Sequence, residues 1–326
     1  MAQKVLVLGD IGIDDTMAII YGYLNDDIDI IGIVADYGNV TKNKAVASVQ
    51  YLKSIFENEK VEQVSIIGGA ELSMTGEALM AFPEIHGEFG LGPIIPPEPF
   101  TEENALENFF EVVQLIEKYD DIIIVNIGRL TSLATMFLLY PRLMGKIKAY
   151  YIMGGAFWVP GNITAVSEAN FYGDPIAAKI VLSKAKNVSI IPLNVTENAI
   201  VTPEMVNYID KVQNIKIIKP MIDFYYAFYK HRNPSLQGAP FHDVLTLMAP
   251  FNENMLTYYE LPVYMVQSLN GIERGQSIAD IRPFVELEEF TDGLDEPVKK
   301  HRIAFQLNYE EFFIDFMTVI TGQRFS

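Results

Sequence analysis

Short runs of apolar, β-branched residues alternate with longer segments of helical period along most of the chain, and this alternation limits the possible folds. It is typical of βαβ units, in which helices cover a mainly parallel sheet. Predicted strands span residues 4–8, 28–34, 64–68, 121–127, 147–153 and 187–193. Predicted helices span residues 14–24, 42–56, 102–118, 174–185, 203–232 with a break near 214, and 309–321. The chain is therefore predicted to be an α/β protein with an open, mainly parallel, doubly wound sheet flanked by helices.

The segment from 256 to 307 has a different pattern, with the runs "ELPVYMVQ", "ADIRPFVEL" and "RIAFQL". Runs of this kind indicate antiparallel β-structure, so a small antiparallel β appendage is expected near the C-terminus, at the edge of the sheet. No internal repeat, low-complexity tract or linker divides the sequence, which predicts a single domain over residues 1–326. Residues 86–99, "HGEFGLGPIIPPEP", are predicted to form a long surface loop, and such loops are often functional lids.

Composition narrows the possible functions. The 326 residues are 50% hydrophobic, which is enough for a large buried core. A formal net charge of −18 disfavours binding to nucleic acid or to anionic membranes, because both depend on Lys and Arg. The absence of cysteine excludes disulfides, thiolate metal sites and cysteine nucleophiles. The first apolar run is too short for a signal peptide and no span reaches membrane length, so a cytoplasmic protein without a membrane partner is expected.

The first predicted strand is followed by Asp10, Asp14 and Asp15, in the stretch "LVLGDIGIDD", with no Lys or Arg beside them. Two unit charges about 4 Å apart repel by roughly 4 kcal/mol at an effective dielectric near 20. A bound cation would offset this repulsion. Alternatively, Asp14 and Asp15 are first-turn acids that stabilise a helix dipole by about 0.3 to 1 kcal/mol each. Asp10 favours the metal site, because a carboxylate between an apolar strand and a glycine turn gains little from a helix dipole.

Other polar or glycine positions also follow predicted strands. Asn39 comes after the second strand, Asn126 ends the fourth, and Gly154 and Gly155 follow the fifth. In a doubly wound sheet the ligand site lies just beyond the carboxyl ends of the strands. These strand ends are therefore expected to meet in one crevice.

Six motifs in order carry a resemblance to a known family: "DIGIDD" followed by "YGN", then "HGEFGLG", "NIGRLTSLA", "MGGAF..PGNIT...EANFYGDP" and "FHD". They extend from Asp10 to Asp243, about three quarters of the chain, and resemble the nucleoside hydrolase family of the inosine-uridine-preferring type. The resemblance implies an open α/β fold, a tightly held Ca²⁺, and hydrolysis of the N-glycosidic bond of ribonucleosides to free base and ribose. It also implies a homodimer or homotetramer.

The residues themselves are compatible with a Ca²⁺ site, since Ca²⁺ takes six to eight oxygen ligands and this crevice offers oxygen but no sulfur. Asp10 and Asp15 fit as carboxylate ligands. Neighbouring residues at a helix start point about 100° apart, so Asp14 is expected to face the substrate if Asp15 faces the metal. A metal lowers the pKa of its bound water, and a nearby carboxylate takes the proton. By resemblance, Asp10 is that base as well as a ligand.

Three further roles come from the resemblance. Asp243 is the remaining side-chain metal ligand, and Asn126 binds the metal through its backbone carbonyl. His242 faces the base and protonates or hydrogen-bonds the leaving group. Without the other motifs, Asp243 would be interpreted as a helix cap, His242 as a surface histidine and Asn126 as a turn residue.

The stretch "PGNITAVSEANFYGDP" supplies Asn162, Glu168 and Asn170, two neutral amides and one carboxylate. Sugar hydroxyls donate and accept hydrogen bonds, and amides offer both partners. Together with Asp14 and Asn39, these residues are expected to hold the ribose hydroxyls and favour an oxocarbenium-like transition state. Considered singly, each asparagine is also typical of a turn.

Histidine and aromatic residues complete the predicted site. By resemblance His86 closes over the substrate; alternatively it is a solvated loop histidine. Tyr225 and Tyr229 either flank the base or belong to the core. Trp158 is the only tryptophan, so the paired indole clamp of purine-specific members is excluded. Together with His242, this favours the inosine-uridine branch.

Two positions depart from the family pattern, which carries Asp and Pro where this chain has Leu8 and Ile11. The missing carboxylate is expected to support the metal indirectly, so its loss would weaken the metal or change which metal binds. This motivates a second hypothesis, a catalytically silent nucleoside or ribose binder. A third, a Mg²⁺ phosphohydrolase, is disfavoured because phosphoryl transfer normally employs Lys or Arg, and neither stands beside the clustered acids.

Overall fold

The computed structural model describes residues 2–56, 58–77, 80–97, 109–282 and 298–326. The strands are β1 (Gln3–Gly9), β2 (Ile28–Ala35), β3 (Ser65–Gly68), β4 (Ile123–Asn126), β5 (Ala149–Met153), β6 (Val188–Ile191), β7 (Ile200–Val201), β8 (Ala239–Pro240), β9 (Leu256–Met265), β10 (Ser277–Ala279) and β11 (Lys300–Leu307). Within this part of the chain, nine of them form one sheet in the order β10-β9-β11-β6-β5-β4-β1-β2-β3, and β7 pairs with β8.

Helices occupy the connections between the strands. They are α1 (Ile13–Leu24), α2 (Lys42–Ile55), α3 (Glu59–Glu62), α4 (Pro83–His86), α5 (Phe110–Lys118), α6 (Thr131–Leu139), α7 (Pro141–Met144), α8 (Ala169–Gly173), α9 (Pro175–Lys184), α10 (Leu193–Thr196), α11 (Pro203–Val212), α12 (Ile218–Arg232), α13 (His242–Met248) and α14 (Tyr309–Thr321). The predicted break near residue 214 is confirmed, because α11 and α12 are separate helices. None of the helices in the described ranges has the length and apolar character needed to cross a membrane.

The predicted α/β fold is confirmed. Strands β3, β2, β1, β4, β5 and β6 pair in parallel, and β11 joins β6 in parallel. The antiparallel appendage is also confirmed, since β9 pairs antiparallel with both β11 and β10 and thereby extends the sheet at its edge. Parts of three predicted segments lie outside the described residues: 98–99 of the loop, 102–108 of the third predicted helix and 283–287 of "ADIRPFVEL".

Strand β1 is central and brings the acidic stretch to the middle of the sheet. Its side chains alternate between two apolar clusters, with Val5 and Val7 on one face and Leu6 and Leu8 on the other. Its neighbours are β2 on one side and β4 on the other, so the chain order reverses at this strand. Open α/β sheets bind ligands at such a switch point, and Asp10 lies there, directly after β1.

Candidate active site

A cavity of about 670 Å³ opens beyond the carboxyl ends of the central strands. Nine of the eleven predicted site residues line it: Asp10, Asp14, Asn39, His86, Asn162, Glu168, Asn170, His242 and Asp243. The other two, Asp15 and Asn126, are fully buried close to the same end of the sheet. The fold therefore gathers side chains that are up to 233 positions apart in the sequence (243 − 10).

Three carboxylates meet at the base of the cavity. Asp14 and Asp15 belong to the first turn of α1, and Asp243 belongs to the first turn of α13. One oxygen from each of the three lies within 4.8 Å of the others. That Asp15 faces the metal and Asp14 faces the substrate stays a prediction. Although they point in different directions from α1, the side chain of Asp243 on the neighbouring helix approaches both.

The donor set of this cluster fits a hard divalent cation, because every side-chain donor is an oxygen. Two of these oxygens, Oδ1 of Asp14 and Oδ1 of Asp15, are buried without a hydrogen-bond partner among the described residues. Buried polar atoms are normally partnered. A cation coordinated by Oδ1 of Asp15, together with a ligand hydroxyl donating to Oδ1 of Asp14, would satisfy them.

Asn39 connects Asp10 to the cluster. Its backbone N–H donates to Oδ2 of Asp10 at 3.1 Å, and its Nδ2 donates to Oδ1 of Asp10 at 3.1 Å. The same Nδ2 lies 3.3 Å from Oδ2 of Asp15, which also accepts from the Gly12 N–H at 2.7 Å. The amide nitrogen of Asn39 therefore orients the acids, which leaves its amide oxygen for a sugar hydroxyl.

Burial governs the electrostatics of the acids. It raises the pKa of Asp10 to about 7 and that of Asp14 to about 6. Burial also raises the pKa of Asp15 and Asp243 well above the usual range, and the neighbouring carboxylates add to both shifts. A cation among these oxygens would favour the ionised form of all four groups.

Asn126 ends β4 opposite Leu8 of β1. Its Nδ2 donates to the carbonyl of Gly128 at 2.6 Å, while its Oδ1 is buried without a partner among the described residues. The side chain thus offers an acceptor in addition to the backbone carbonyl named in the sequence prediction. Metal binding through the backbone carbonyl of Asn126 stays a prediction.

The two departures from the family pattern have structural counterparts. Leu8 is 2% exposed and packs in the apolar cluster that also contains residues of α5, α6 and α9. Ile11 has a φ of 47°, a left-handed conformation that β-branched residues rarely adopt. Proline, which the resemblance implies here, is fixed near about −65°. The turn from Asp10 into α1 is therefore strained and differs from a proline turn.

In the predicted sugar site, each side-chain amide uses one of its two polar atoms in a hydrogen bond within the protein. Oδ1 of Asn162 accepts from the Ala169 N–H at 2.9 Å, so its Nδ2 is left for a ligand. Nδ2 of Asn170 donates to the carbonyl of Ile127 at 3.1 Å, which leaves its Oδ1. One free donor and one free acceptor thus line the cavity at fixed positions.

Glu168 has a mainly organising role in the structure. Its carboxylate caps α8 and accepts from the backbone N–H groups of Asn170 at 2.7 Å, Phe171 at 3.1 Å and Gly155 at 3.0 Å. These bonds hold the segment that carries Asn170 against the glycine turn after β5. Glu168 lines the cavity, so it also remains available to a hydroxyl donor.

The two site histidines are buried and neutral. Nδ1 of His86 accepts from the Ile13 N–H at 3.1 Å, so its proton resides on Nε2. Burial lowers the pKa of His86 to about 3 and that of His242 to about 4. His86 is thus held in place in the cavity wall, and the centres of the His86 and Tyr225 rings are 5.5 Å apart.

His242 lies in a chain of hydroxyl groups. Its Nδ1 is 2.8 Å from Oγ1 of Thr196, and its Nε2 is 3.3 Å from the hydroxyl of Tyr229. The hydroxyls of Tyr229 and Tyr225 are 3.3 Å apart, and both rings line the cavity. Trp158 is 54% exposed and stacks on Phe305 at 5.3 Å, away from the residues that line the cavity.

Arg129 and Thr196 were missed by the sequence analysis. Arg129 is 7% exposed, and its cation lowers the pKa of Asp10 and of Glu168 against the larger rise caused by burial. A signal was present, because Arg129 lies in "NIGRLTSLA", three residues beyond the strand end at Asn126. Thr196 is an ordinary residue in sequence, and only the packing of α10 against α13 brings it to His242.

Comparisons with known proteins agree with this geometry. A model of the family described as inosine-uridine preferring nucleoside hydrolase matches residues 5–314. The chain is 26% identical over 322 residues to an inosine-uridine preferring nucleoside hydrolase of Crithidia fasciculata, covering 96% of each protein. It is 28% identical over 298 residues to a probable uridine nucleosidase 2 of Arabidopsis thaliana, covering 89% of this chain and 90% of the relative.

The solved structures give the same result. A purine-preferring ribonucleoside hydrolase from Gardnerella vaginalis superimposes with a TM-score of 0.85 at 27% identity, covering 98% of each chain. The family match spans the acidic turn after β1, the amides Asn162 and Asn170 and the start of α13. This chain belongs to the inosine-uridine preferring nucleoside hydrolase family.

Proposed function

We propose that the protein is a Ca²⁺-dependent ribonucleoside hydrolase that cleaves the N-glycosidic bond to give free base and ribose. The observation that carries the proposal is the cluster of Asp14, Asp15 and Asp243 with unpartnered buried oxygens, at the base of a cavity lined with amides. Inosine and uridine are the proposed preferred substrates, supported by the family description and by the names of two relatives. A single domain over 1–326 in a cytoplasmic homodimer or homotetramer completes the proposal, and the match of the family model to residues 5–314 supports the single domain.

Asp10 is the proposed general base. Asp10, Asp15, Asp243 and Asn126 would hold the Ca²⁺, which when bound would supply the Lewis acidity that lowers the pKa of water. Asp10 then accepts the proton of the water whose oxygen bonds to C1′ as the bond from C1′ to the base breaks. Asn39 contributes by fixing both oxygens of Asp10 through two hydrogen bonds of 3.1 Å.

The ribose is held by polar groups that line the cavity and still have a hydrogen-bond donor or acceptor available. Nδ2 of Asn162 donates to a sugar hydroxyl, while Oδ1 of Asn170 and the carboxylate of Asp14 accept from hydroxyls. Rigid contacts of this kind hold the ring near the geometry of an oxocarbenium-like transition state. His86, with its proton on Nε2, adds a donor beside Asp14, whose Oδ1 lies 3.8 Å from His86 Nδ1.

His242 assists departure of the base. If the Thr196 hydroxyl donates to Nδ1, then Nε2 carries the proton and presents it beside Tyr229. The leaving base accepts a hydrogen bond from this N–H group, which offsets the negative charge that develops on the base, and the proton that Asp10 takes from water is the one that the released base finally gains. The hydroxyls of Tyr229 and Tyr225, 3.3 Å apart, extend the hydrogen-bond chain beside His242. Because burial keeps the pKa of His242 near about 4, the residue works as a neutral N–H donor at pH 7.

Purified protein is expected to release free base and ribose in equal amounts from uridine and inosine. Chromatography of the base and a reducing-sugar assay of the ribose measure the two products independently. Adenosine, cytidine and guanosine in the same assay define the base preference. Thermal stabilisation by nucleosides without release would instead support the silent binder, and turnover of phosphate esters alone would support the phosphohydrolase.

Replacing His242 by alanine is expected to lower kcat for uridine and inosine by about 10²-fold or more, the usual contribution of an acid catalyst. The loss should be below about tenfold for 4-nitrophenyl riboside, because 4-nitrophenolate departs without a proton. His231→Ala, which removes an exposed histidine of α12, is the matched control. An equal loss on all three substrates would show that His242 does not act on the leaving group.

A further inference from the structure

A second cavity of about 270 Å³ lies beside the first. This cavity, here termed the annex, is bounded by Tyr37, Ser73, Arg129, Tyr172 and Arg274 together with Phe82, Ile163 and Ala169, and the last three also line the main cavity. The two cavities therefore share a wall at the end of the main site that carries Asn162 and Glu168. None of the roles proposed above uses the annex.

Arg129 is a buried cation with spare hydrogen-bonding capacity. Its side chain is 7% exposed, and its guanidinium lies 4.8 Å from the centre of the Tyr37 ring. Nη2 donates to the Met80 carbonyl at 3.2 Å, which is its one hydrogen bond to a residue of the described ranges. A guanidinium carries five N–H donors, and burying them unmatched is costly. Arg129 is thus suited to an acceptor-rich group in the annex.

Arg274 is satisfied within the protein. Its guanidinium pairs with both carboxylate oxygens of Glu77 and also donates to the carbonyls of Tyr172 at 2.8 Å and Leu269 at 2.9 Å. The charges of Arg274 and Glu77 cancel, so among the charged residues that line the annex Arg129 is the cation without an ion-pair partner there, while on the side of the main cavity its charge acts on Asp10 and Glu168. A buried guanidinium with N–H donors to spare favours an anionic group as the ligand of the annex.

The position of the annex relates it to one end of the proposed substrate. In a nucleoside, the base on C1′ and the C5′ group on C4′ leave the sugar ring on opposite sides of the ring oxygen. In the pose proposed above, C1′ faces Asp10 and the base faces His242, and this leaves the wall of Asn162 and Ala169 for the C5′ group. Ala169 also lines the annex, so in this pose a substituent on C5′ would extend toward Arg129.

We propose that the annex binds an anionic group on the 5′ position, so that the protein also hydrolyses nucleoside 5′-monophosphates. This inference rests on the proposed function of the main site. The bond between C1′ and the base breaks, the oxygen of water bonds to C1′, and the base gains a proton. The phosphate ester is unchanged, and the products are free base and ribose 5-phosphate. Arginine suits this role because its planar fork of N–H groups matches phosphate oxygens.

The test compares uridine 5′-monophosphate with uridine in the wild-type protein, Arg129→Met and Arg129→Lys. Base release should occur from both compounds in the wild type. In Arg129→Met, the ratio of kcat/KM for the monophosphate to that for uridine should fall roughly 10- to 100-fold, the usual loss for a hydrogen bond to a charged group. The ratio removes any effect of Arg129 on Asp10, which both substrates share. Arg129→Lys should retain part of the ratio, and Lys146→Met, at an exposed cation outside both cavities, should leave it unchanged.

Calorimetric binding separates failure of this inference from failure of the proposed function. Suppose that neither compound is hydrolysed, that the monophosphate binds more tightly than uridine, and that this difference is lost in Arg129→Met. Binding of the 5′ anionic group in the annex is then supported, and the proposed hydrolysis is refuted. Hydrolysis of uridine alone, without binding of the monophosphate, would overturn the annex. Inorganic phosphate should bind at least tenfold more weakly than the monophosphate, and equal binding would assign the annex to free anions. Equal losses on both substrates in Arg129→Met would also contradict the proposal.

Discussion

Replacing Asp10 by asparagine is expected to lower kcat for base release by about 10³-fold, within the range for loss of a general base. The amide keeps the size of the carboxylate but does not accept a proton at neutral pH. It also presents an N–H group toward Asn39, whose two donors now bind the Asp10 oxygens. Initial rates of base release from uridine, at saturating substrate, measure the change.

The matched control is Asp26→Asn, which removes an exposed carboxylate beyond the end of α1. It should keep the wild-type rate, which shows that loss of one negative charge is not the cause. The melting temperature of Asp10→Asn checks that the variant is folded. A folded Asp10→Asn protein with more than a tenth of the wild-type kcat would contradict the role given to Asp10.

Replacing Gly38 by alanine is expected to lower kcat/KM by about 10²-fold, although Gly38 has no side chain to take part in catalysis. A Cβ at this position would lie 1.8 Å from Oδ2 of Asp10 and 2.4 Å from its Cγ. The carboxylate must therefore move away from the Asn39 N–H that orients it. A displacement of about 1 Å at a reacting group costs about 10²-fold in rate.

Gly68→Ala provides the control for this variant. A Cβ at Gly68, at the end of β3, would meet no atom closer than 3.5 Å, an ordinary contact with the Lys42 side chain. It should keep activity and stability near the wild type. If Gly38→Ala is folded and fully active, the position of Asp10 seen here is not the one that catalysis requires.

The strands of the central sheet were predictable because each is a short apolar run bounded by turn residues, and a buried parallel strand needs little else. Helix α6 was not predicted. Six of its nine residues are buried, and its exposed end carries Leu138 and Leu139 instead of charged residues, so its sequence "TSLATMFLL" has no polar stripe to reveal a helical period. Strands β7 and β8 have two residues each, too short for any periodic signal.

The candidate site was predictable where it follows strand ends, and less so where it depends on packing. Asp10 comes directly after β1, and Asn39 lies in the turn that follows the end of β2 at Ala35, so the topology brings both to one edge of the sheet. The approach of Asp243 to Asp14 depends on how α13 packs against α1, which local sequence does not encode. The distances between carboxylates could therefore not be obtained from spacing along the chain.

Arg129 shows a different limit. Its place after β4 was visible in the sequence, but the direction of a long side chain from a loop depends on tertiary contacts. Here the contact with the Tyr37 ring and a hydrogen bond to the Met80 carbonyl direct the Arg129 side chain toward the annex. A charge that seemed absent from the acidic site is thus supplied from the loop that follows a neighbouring strand.

The most direct test of the central claim is release of base and ribose from uridine and inosine, measured before and after Ca²⁺ is removed with EGTA. Elemental analysis of the protein establishes its metal content at each stage. The account predicts that release falls by at least about 100-fold on removal and returns when Ca²⁺ is added back, because the site needs a cation to activate water. Undiminished release by folded protein shown to be free of metal would contradict it.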